Sequence, residues 1–440
     1  MMRYTRGATA VAVGLGLALV VGGCAGGDDS GGSSGGSGGG DGGSSGAKVT
    51  VSVWENASPG PGAEYWKAAA SAYHALHPNV TIKIQYVQNE DLDGKLQTAL
   101  NSNSAPDVFL QRGGGKMQAM VDAGQLQALD LTATDRANVG AAALAGDTID
   151  GKVYAMPLDT APEGIYYSKD LFKQAGIAAP PATMAELEAD VAKLKAIKVA
   201  PIAVGAKDAW PAAHWYYNFA LRECSQDTMT STAKSLKFSD PCWTKAGEDL
   251  SSFLKISPFQ NGFLTASAQQ GAGSSAGMLA NHKAAMELMG NWDPGVIGSL
   301  TPDQKPLKDL GWFPFPAVAG GQGDPSAMMG GSGGYSLSKN APKEAFEFLQ
   351  FLVTKEQQEA YAKGFFTIPV NKAAQGVVTD TYNISALQAF NKAAYAMQFL
   401  DTVYGQNVGN AMNTAVVNLL AGKGSPADIV KDTNSAAQKG

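Results

Sequence analysis

An α/β fold divided between two lobes is predicted by three features of the sequence. Residues 47–440 exceed the roughly 250–300 over which one hydrophobic core keeps growing, so the chain is expected to divide. Hydrophobic residues make up 45% of it, ample material for two cores. From Lys48 onward, segments with a two-residue apolar period alternate with segments of helical period. That order gives parallel strands with helices on the sheet faces.

Lys48–Trp54 sets Val49, Val51 and Val53 on one face and reads as a strand. A turn-rich loop from Glu55 to Gly62 follows, then a helical pattern from Glu64 to His77 that Pro78 stops. Val80–Val87 alternates again, Leu92–Leu100 is helical, and Asp107–Leu110 is a short buried strand. Ligands of such a lobe bind beyond the carboxyl ends of its strands. Three loops lie there: Trp54–Gly62, Gln88–Asp91 and Gln111–Gly115, whose polar and charged groups suit a neutral polyol. Gly113–Lys116 and Gly422–Lys423 lack the spacing of a phosphate loop, and Gly330–Gly334 lacks the strand, helix and acid that frame a dinucleotide site. These glycines read as close backbone approaches or hinges. Helical patterns resume at Met184–Lys198, Pro342–Lys363, Val408–Leu420 and Pro426–Ala437.

The N-terminus reads as an export signal over residues 1–23. Arg3 and Arg6 precede the apolar run Ala8–Val21, which ends in small residues before Cys24. Val21-Gly22-Gly23-Cys24 also resembles a bacterial lipobox, in which the cysteine is lipidated. An uncleaved anchor is the alternative, and both readings put the remainder outside the cytoplasm. Residues 24–46 hold 12 of the 53 glycines with 6 Ser and 3 Asp, a flexible tether that cannot bury a core. Its root-mean-square reach is roughly 25 Å. The remaining cysteines, Cys224 and Cys242, suit a disulfide in an oxidising compartment, with two buried thiols as the alternative. The four histidines are scattered and no Cys-x-x-Cys pair exists, so no metal site is expected. A net charge of −6 argues against nucleic-acid binding through phosphates.

Several segments together resemble the solute-binding proteins of ABC importers, specifically the extracellular, maltose-binding-protein-like lipoproteins that take up sugars. Ala105-Pro106-Asp107-Val108-Phe109 with Met120–Leu126 and Leu129-Asp130 matches a strand-helix-loop signature of that family. Gly151–Pro157, Tyr166–Phe172 and Ala175-Gly176-Ile177 resemble its crossing into the second lobe, and Ala284-Ala285-Met286 with Gly290-Asn291-Trp292 resembles the tryptophan segment of its sugar site. Ser336–Asn340, Ala345–Leu349 and Thr367–Val370 complete the set. The resemblance implies a two-lobed periplasmic-binding-protein fold with discontinuous lobes, residues 47–159 plus 332–362 and residues 160–331 plus 363–440. Crossings would fall near Asp159–Glu163, Met329–Ser332 and Lys363–Gly364. It implies a monomer, lipid-anchored through Cys24 to the outer face of the cytoplasmic membrane. Such a protein closes on a di- or short oligosaccharide and hands it to the importer's membrane subunits, with no cofactor and no chemistry of its own.

A sugar needs flat apolar platforms rimmed by hydrogen-bonding groups. Trp292 matches the family's stacking position, with Asp293 beside it. Glu55 and Asn56 open from the first strand; Trp54 serves either the core or the ligand. Trp210 and His214 are the favoured members of an aromatic group that includes Trp215 and Tyr216. Gln111 and Arg112 leave the third strand, and Asp159 and Tyr335 flank crossings. Before the last helices, where some relatives carry another ring, this chain has Asn407, Gly409 and Asn410. The competing reading is a secreted glycosidase using two of Glu55, Asp159, Glu163 and Asp293. No His-Glu-x-x-His motif is present, and the Gly-x-Ser-x-Gly spacing recurs, as at Gly273–Gly277 and Gly330–Gly334, within Gly/Ser-rich stretches that do not read as a hydrolase elbow. A binder of another polar solute is disfavoured because the loops do not concentrate Lys and Arg.

Overall fold

The computed structural model describes residues 47–56, 60–331 and 333–439. The expected signal peptide, tether and lipidated Cys24 lie outside them. Among the described residues no helix is long and apolar enough to cross a membrane.

The strands are β1 (Val49–Glu55), β2 (Val80–Tyr86), β3 (Val108–Gln111), β4 (Thr148–Ile149), β5 (Lys152–Val153), β6 (Met156–Pro157) and β7 (Asp159–Ser168). They continue with β8 (Ala200–Ala203), β9 (Ala284–Gly290), β10 (Leu310–Phe313), β11 (Met328–Gly331), β12 (Gly334–Leu337), β13 (Ile368–Pro369) and β14 (Ala396–Met397). One sheet has the order β2-β1-β3-β12-β6 and a second the order β14-β11-β7-β9-β8, with β10 and β13 also paired to β7. In the first sheet β1 runs parallel to β2 and β3, as the strand-helix alternation predicts, while β12 returns antiparallel to β3.

Each sheet has its own core. Val51, Val53, Trp66, Val108, Leu337, Phe348 and Leu352 belong to the first; Ile202, Trp215, Phe219, Leu250, Met286 and Val416 belong to the second. The chain therefore builds the first core from two separated stretches and returns to the second for its C-terminal helices, Gln406–Leu420 and Pro426–Ala437. The single residue Leu158 joins β6 of the first sheet to β7 of the second. Asp159 and Thr160 pair with β13, Ala161 and Pro162 with β11, and Glu163 to Tyr167 with β9.

Two local departures from the sequence pattern have physical causes. The helical period over Pro342–Lys363 is two helices, Lys343–Leu352 and Lys355–Phe365. Thr354 breaks the run by turning its hydroxyl to Phe351 O at 2.8 Å, and Gln358 and Asn371 donate to the carbonyls of Leu352 and Val353 that a continuous helix would have used. The Ser- and Thr-rich stretch between the cysteines is itself a helix, Gln226–Ser235, started by Ser225 accepting from Thr228 N. Cys224 and Cys242 are joined by a disulfide with Cα atoms 5.1 Å apart.

Candidate functional site

The apolar stripe of β1, Val51 and Val53, continues into a carboxylate: Glu55 is only 1% exposed at the strand's C-terminal end. A strand alternates its faces, so Trp54 points the other way and packs with Leu96, Leu100 and Phe109. Tyr335, two residues into β12, donates its hydroxyl to Glu55. Asp159, at the start of β7, accepts from the Tyr361 hydroxyl at 3.1 Å. Burial pushes its carboxyl up to about 6, against the pull of that hydrogen bond.

Beyond β3, Gln111 Oε1 accepts from the backbone N–H of Arg112 and Gly113, and its amide reaches Ser336 Oγ at 3.3 Å. Arg112 donates to Asp93 at 3.2 Å and to Asn89 Oδ1 at 2.8 Å, and Asn56 reaches the same Asn89 oxygen at 2.9 Å. Burial opposes ionisation of Asp93, but Arg112 and Lys116 outweigh it and hold the carboxyl down at about 2. The edge of the first sheet is thus a tied network in which the guanidinium charge is already matched.

The second sheet supplies rings. The helix Trp210–Glu223 starts after Ala209, whose φ of 63° is costly for a residue with a Cβ. Trp210, His214 and Asn218 follow at helical spacing on one face. His214 Nδ1 hydrogen-bonds Glu163 of β7, and Asn218 donates to the other carboxylate oxygen at 2.6 Å. The His214 ring lies flat on Phe399, 4.6 Å between centroids and 9° between planes. Trp292 approaches Trp210 at 6.2 Å and Phe399 at 5.5 Å, both steeply inclined. Gly290 makes this possible, because a Cβ there would stand 2.2 Å from the Trp292 ring. Both Trp210 and Trp292 stay partly exposed. Asn291 holds the segment from behind: its amide reaches Tyr166 and Asn383, and its oxygen accepts from Thr367 Oγ1 and Ile368 N.

The two halves meet at Gln398 and Phe399. Gln398 Nε2 donates to Arg112 O at 2.6 Å, while the next residue is the ring beneath His214 and Trp292. A second contact, Gln270 Nε2 to Gln88 Oε1 at 2.8 Å, joins the loop after β2 to the segment before β9. Of the residues expected from sequence, Glu55, Tyr335 and Asp159 cluster by the crossing, Asn56, Gln111 and Arg112 share the sheet edge, and Trp210, His214 and Trp292 form the aromatic corner. Trp54 stands apart on the far face of β1. Phe399, Gln398 and Gln270 carried no local signal: each matters through a partner far away in the chain.

Asp293 is fully buried and faces Glu287 of β9. Burial raises both carboxyls, Asp293 from 3.8 to about 8 and Glu287 well above its ordinary value, with the charge of Asp293 adding to the effect on Glu287. The folded state therefore holds protons that the unfolded chain releases near pH 4. This contribution to stability is complete below about pH 4 and lost as pH rises through about 8. The expected result is a lower melting temperature at about pH 8.5 than at about pH 5, and a smaller difference in Glu287→Gln. Equal pH slopes in the two proteins would remove the pair from this account.

Known proteins share this architecture. The family model for bacterial extracellular solute-binding proteins matches residues 56–359. The diacetylchitobiose-binding protein of Streptomyces coelicolor is 24% identical over 404 residues, spanning 89% of each chain. The melibiose/raffinose/stachyose-binding protein of Bacillus subtilis is 25% identical over 319 residues, 70% of each chain. A chitin oligosaccharide binding protein of known structure superposes with a TM-score of 0.79 at 24% identity, covering 90% of this chain and 99% of its own. So does a protein studied for xylan utilization by Caldanaerobius polysaccharolyticus, with a TM-score of 0.79 at 24% identity over 89% of this chain and 99% of its own. With that match running from the end of β1 into the helix Lys355–Phe365, the chain belongs to the family of bacterial extracellular solute-binding proteins.

Proposed function

We propose that this protein captures a neutral di- or short oligosaccharide outside the cell and delivers it to an ABC importer, without chemical change. The observation that carries the reading is the pair Gln398–Phe399, whose adjoining side chains touch the first sheet's edge and the second sheet's aromatic corner. In this reading the platforms and the hydrogen-bonding groups would face one space. Trp292, Trp210 and Phe399 would pack on sugar C–H faces; Glu55, Asn56, Asp159, Glu163 and Tyr335 would take part in hydroxyl recognition. Carboxylates gather there while Arg112 is matched by Asp93, so a neutral ligand fits better than an acidic one. The relatives named for diacetylchitobiose and for melibiose, raffinose and stachyose support the same ligand class.

The separate cores support two lobes, residues 47–159 plus 332–362 and residues 160–331 plus 363–440, that close about the ligand. Lipidation of Cys24 would hold the monomer at the membrane. A panel of neutral sugars followed by thermal unfolding tests the reading. A true ligand at 100 times its dissociation constant adds about 2.7 kcal/mol, and no new reducing ends appear on prolonged incubation. Reducing ends that grow with time would favour the glycosidase reading instead.

A further inference from the structure

The loop after β3 runs through three successive glycines, Gly113–Gly115, and the segment 398–405, whose Phe399, Leu400, Val403 and Tyr404 pack with the second core, faces all three. A Cβ on Gly113 would lie 2.6 Å from the Gln398 amide nitrogen, and one on Gly114 2.8 Å from Thr402 O. One on Gly115 would lie 2.7 Å from Val403 O and 2.8 Å from Gly405 N. A glutamine side chain can swing aside, but backbone atoms cannot. Gly113 and Gly114 need glycine for their own backbone as well, with φ of 77° and 54°. Gly115 does not. It lies in the first turn of the helix Gly114–Asp122, where alanine is the better helix former. The atoms that leave no room for a methyl there, Val403 O, Gly405 N and Gly405 Cα, all belong to the second lobe.

The two sides match in shape and in polarity. The amino end of the helix Gly114–Asp122, whose first N–H groups have no partners within the helix, meets the carbonyl end of the short helix Leu400–Val403. Gly405 faces it in return, a Cβ there standing 3.7 Å from Gly115 C. The contact is tied rigidly to the aromatic corner, because Phe399 O accepts from Thr402 N and Val403 N, both at 2.9 Å. A displacement of Val403 therefore carries with it the ring that His214 and Trp292 adjoin. The bridge from Gln270 to Gln88 is different, since it joins two side-chain tips that can follow a small displacement.

We propose that Gly114 and Gly115 are positioning residues for sugar capture, a bare-backbone seat that sets how near the second lobe's aromatic corner stands to the first sheet's edge. The proposal rests on the two-lobed, sugar-binding reading, and the two glycines act through Phe399. Gly115→Ala is the test wedge: it suits its own helix, yet it must open the seat from 2.7 Å towards the 3.4 Å of an ordinary contact. Gly94→Ala is the control, in the helix Asn89–Asn101 of the same lobe, with nothing within 4 Å of the added Cβ. Nitroxide labels on Ala119→Cys and Thr414→Cys, exposed positions on the helices that start on either side of the seat, read the gap by pulsed electron paramagnetic resonance. Full-length protein carrying Cys24→Ser confines the labels to these positions, since Cys224 and Cys242 are already joined.

In Gly115→Ala the label distance is expected to lengthen in the ligand-free protein. Calorimetric affinity for the neutral sugar that best stabilises the wild type is expected to fall at least about tenfold, and Gly94→Ala to match the wild type in both readouts. Gly115→Ser provides the same wedge in a second variant. An unchanged distance in both wedge variants overturns the seat. A longer distance with unchanged affinity overturns its role in capture. Wild-type protein that binds no neutral sugar overturns the sugar reading instead, and the label distance alone then decides whether the seat stands.

Discussion

Trp292→Ala is expected to weaken binding of the cognate sugar at least tenfold, about 1.4 kcal/mol, while the ligand-free protein unfolds cooperatively. Trp292 is partly exposed and contacts rings rather than filling a gap in either large core. Its removal therefore takes away a platform more than it opens a cavity. Gly290→Ala provides an independent check. The ring stays in the sequence but cannot lie where it does, because the new Cβ would fall 2.2 Å from it. Affinity is expected to fall in this variant too. Calorimetry at one temperature reads both, and an unchanged dissociation constant for Trp292→Ala would take the residue out of the site.

The second large effect concerns the disulfide. Cys224→Ala/Cys242→Ala is expected to cost about 3 kcal/mol in urea unfolding, the loop-closure entropy of a segment this long. The bond ties the end of the helix Trp210–Glu223 to the start of the helix Pro241–Leu254, across 18 positions of sequence. The first of these helices also carries Trp210 and His214, so its stability underlies the aromatic corner. A loss below about 1 kcal/mol would mean that packing of Met229 and Trp243 already holds the intervening helix.

What the sequence made legible follows its local periodicities. The alternation Val49, Val51, Val53 fixes the face of β1, and extending it by one step puts Glu55 inside and Trp54 on the opposite side. Strand and helix alternation likewise reads out that β1, β2 and β3 run parallel, while their lateral order, β2-β1-β3, comes from the structure. The helix break at Thr354 was hidden because part of what holds it is remote: Asn371 supplies the amide that satisfies Val353 O. Phe399 was hidden for the same reason. Nothing beside it distinguishes a surface ring from one stacked on His214, 185 positions earlier by its numbering. Asp293 illustrates the converse, since a polar neighbour of Trp292 reads as a ligand contact until Glu287 is seen across from it.

The strand β7 gives the proposed closure a mechanical character. The crossing from β6 of the first sheet passes through Leu158 alone and runs straight on into a continuous ten-residue strand of the second, paired in turn with β13, β11 and β9, with no slack linker between. Motion between the lobes would then be torsion of a laddered ribbon through Asp159–Glu163, with few accessible directions. Ligand capture would freeze little backbone freedom, and more of the contact energy would emerge as affinity. The same ribbon carries Asp159 beside Tyr361 at one end and Glu163 beside His214 at the other. A sugar held between them would load the torsion element itself, so that occupancy and the twist of the molecule become a single coordinate.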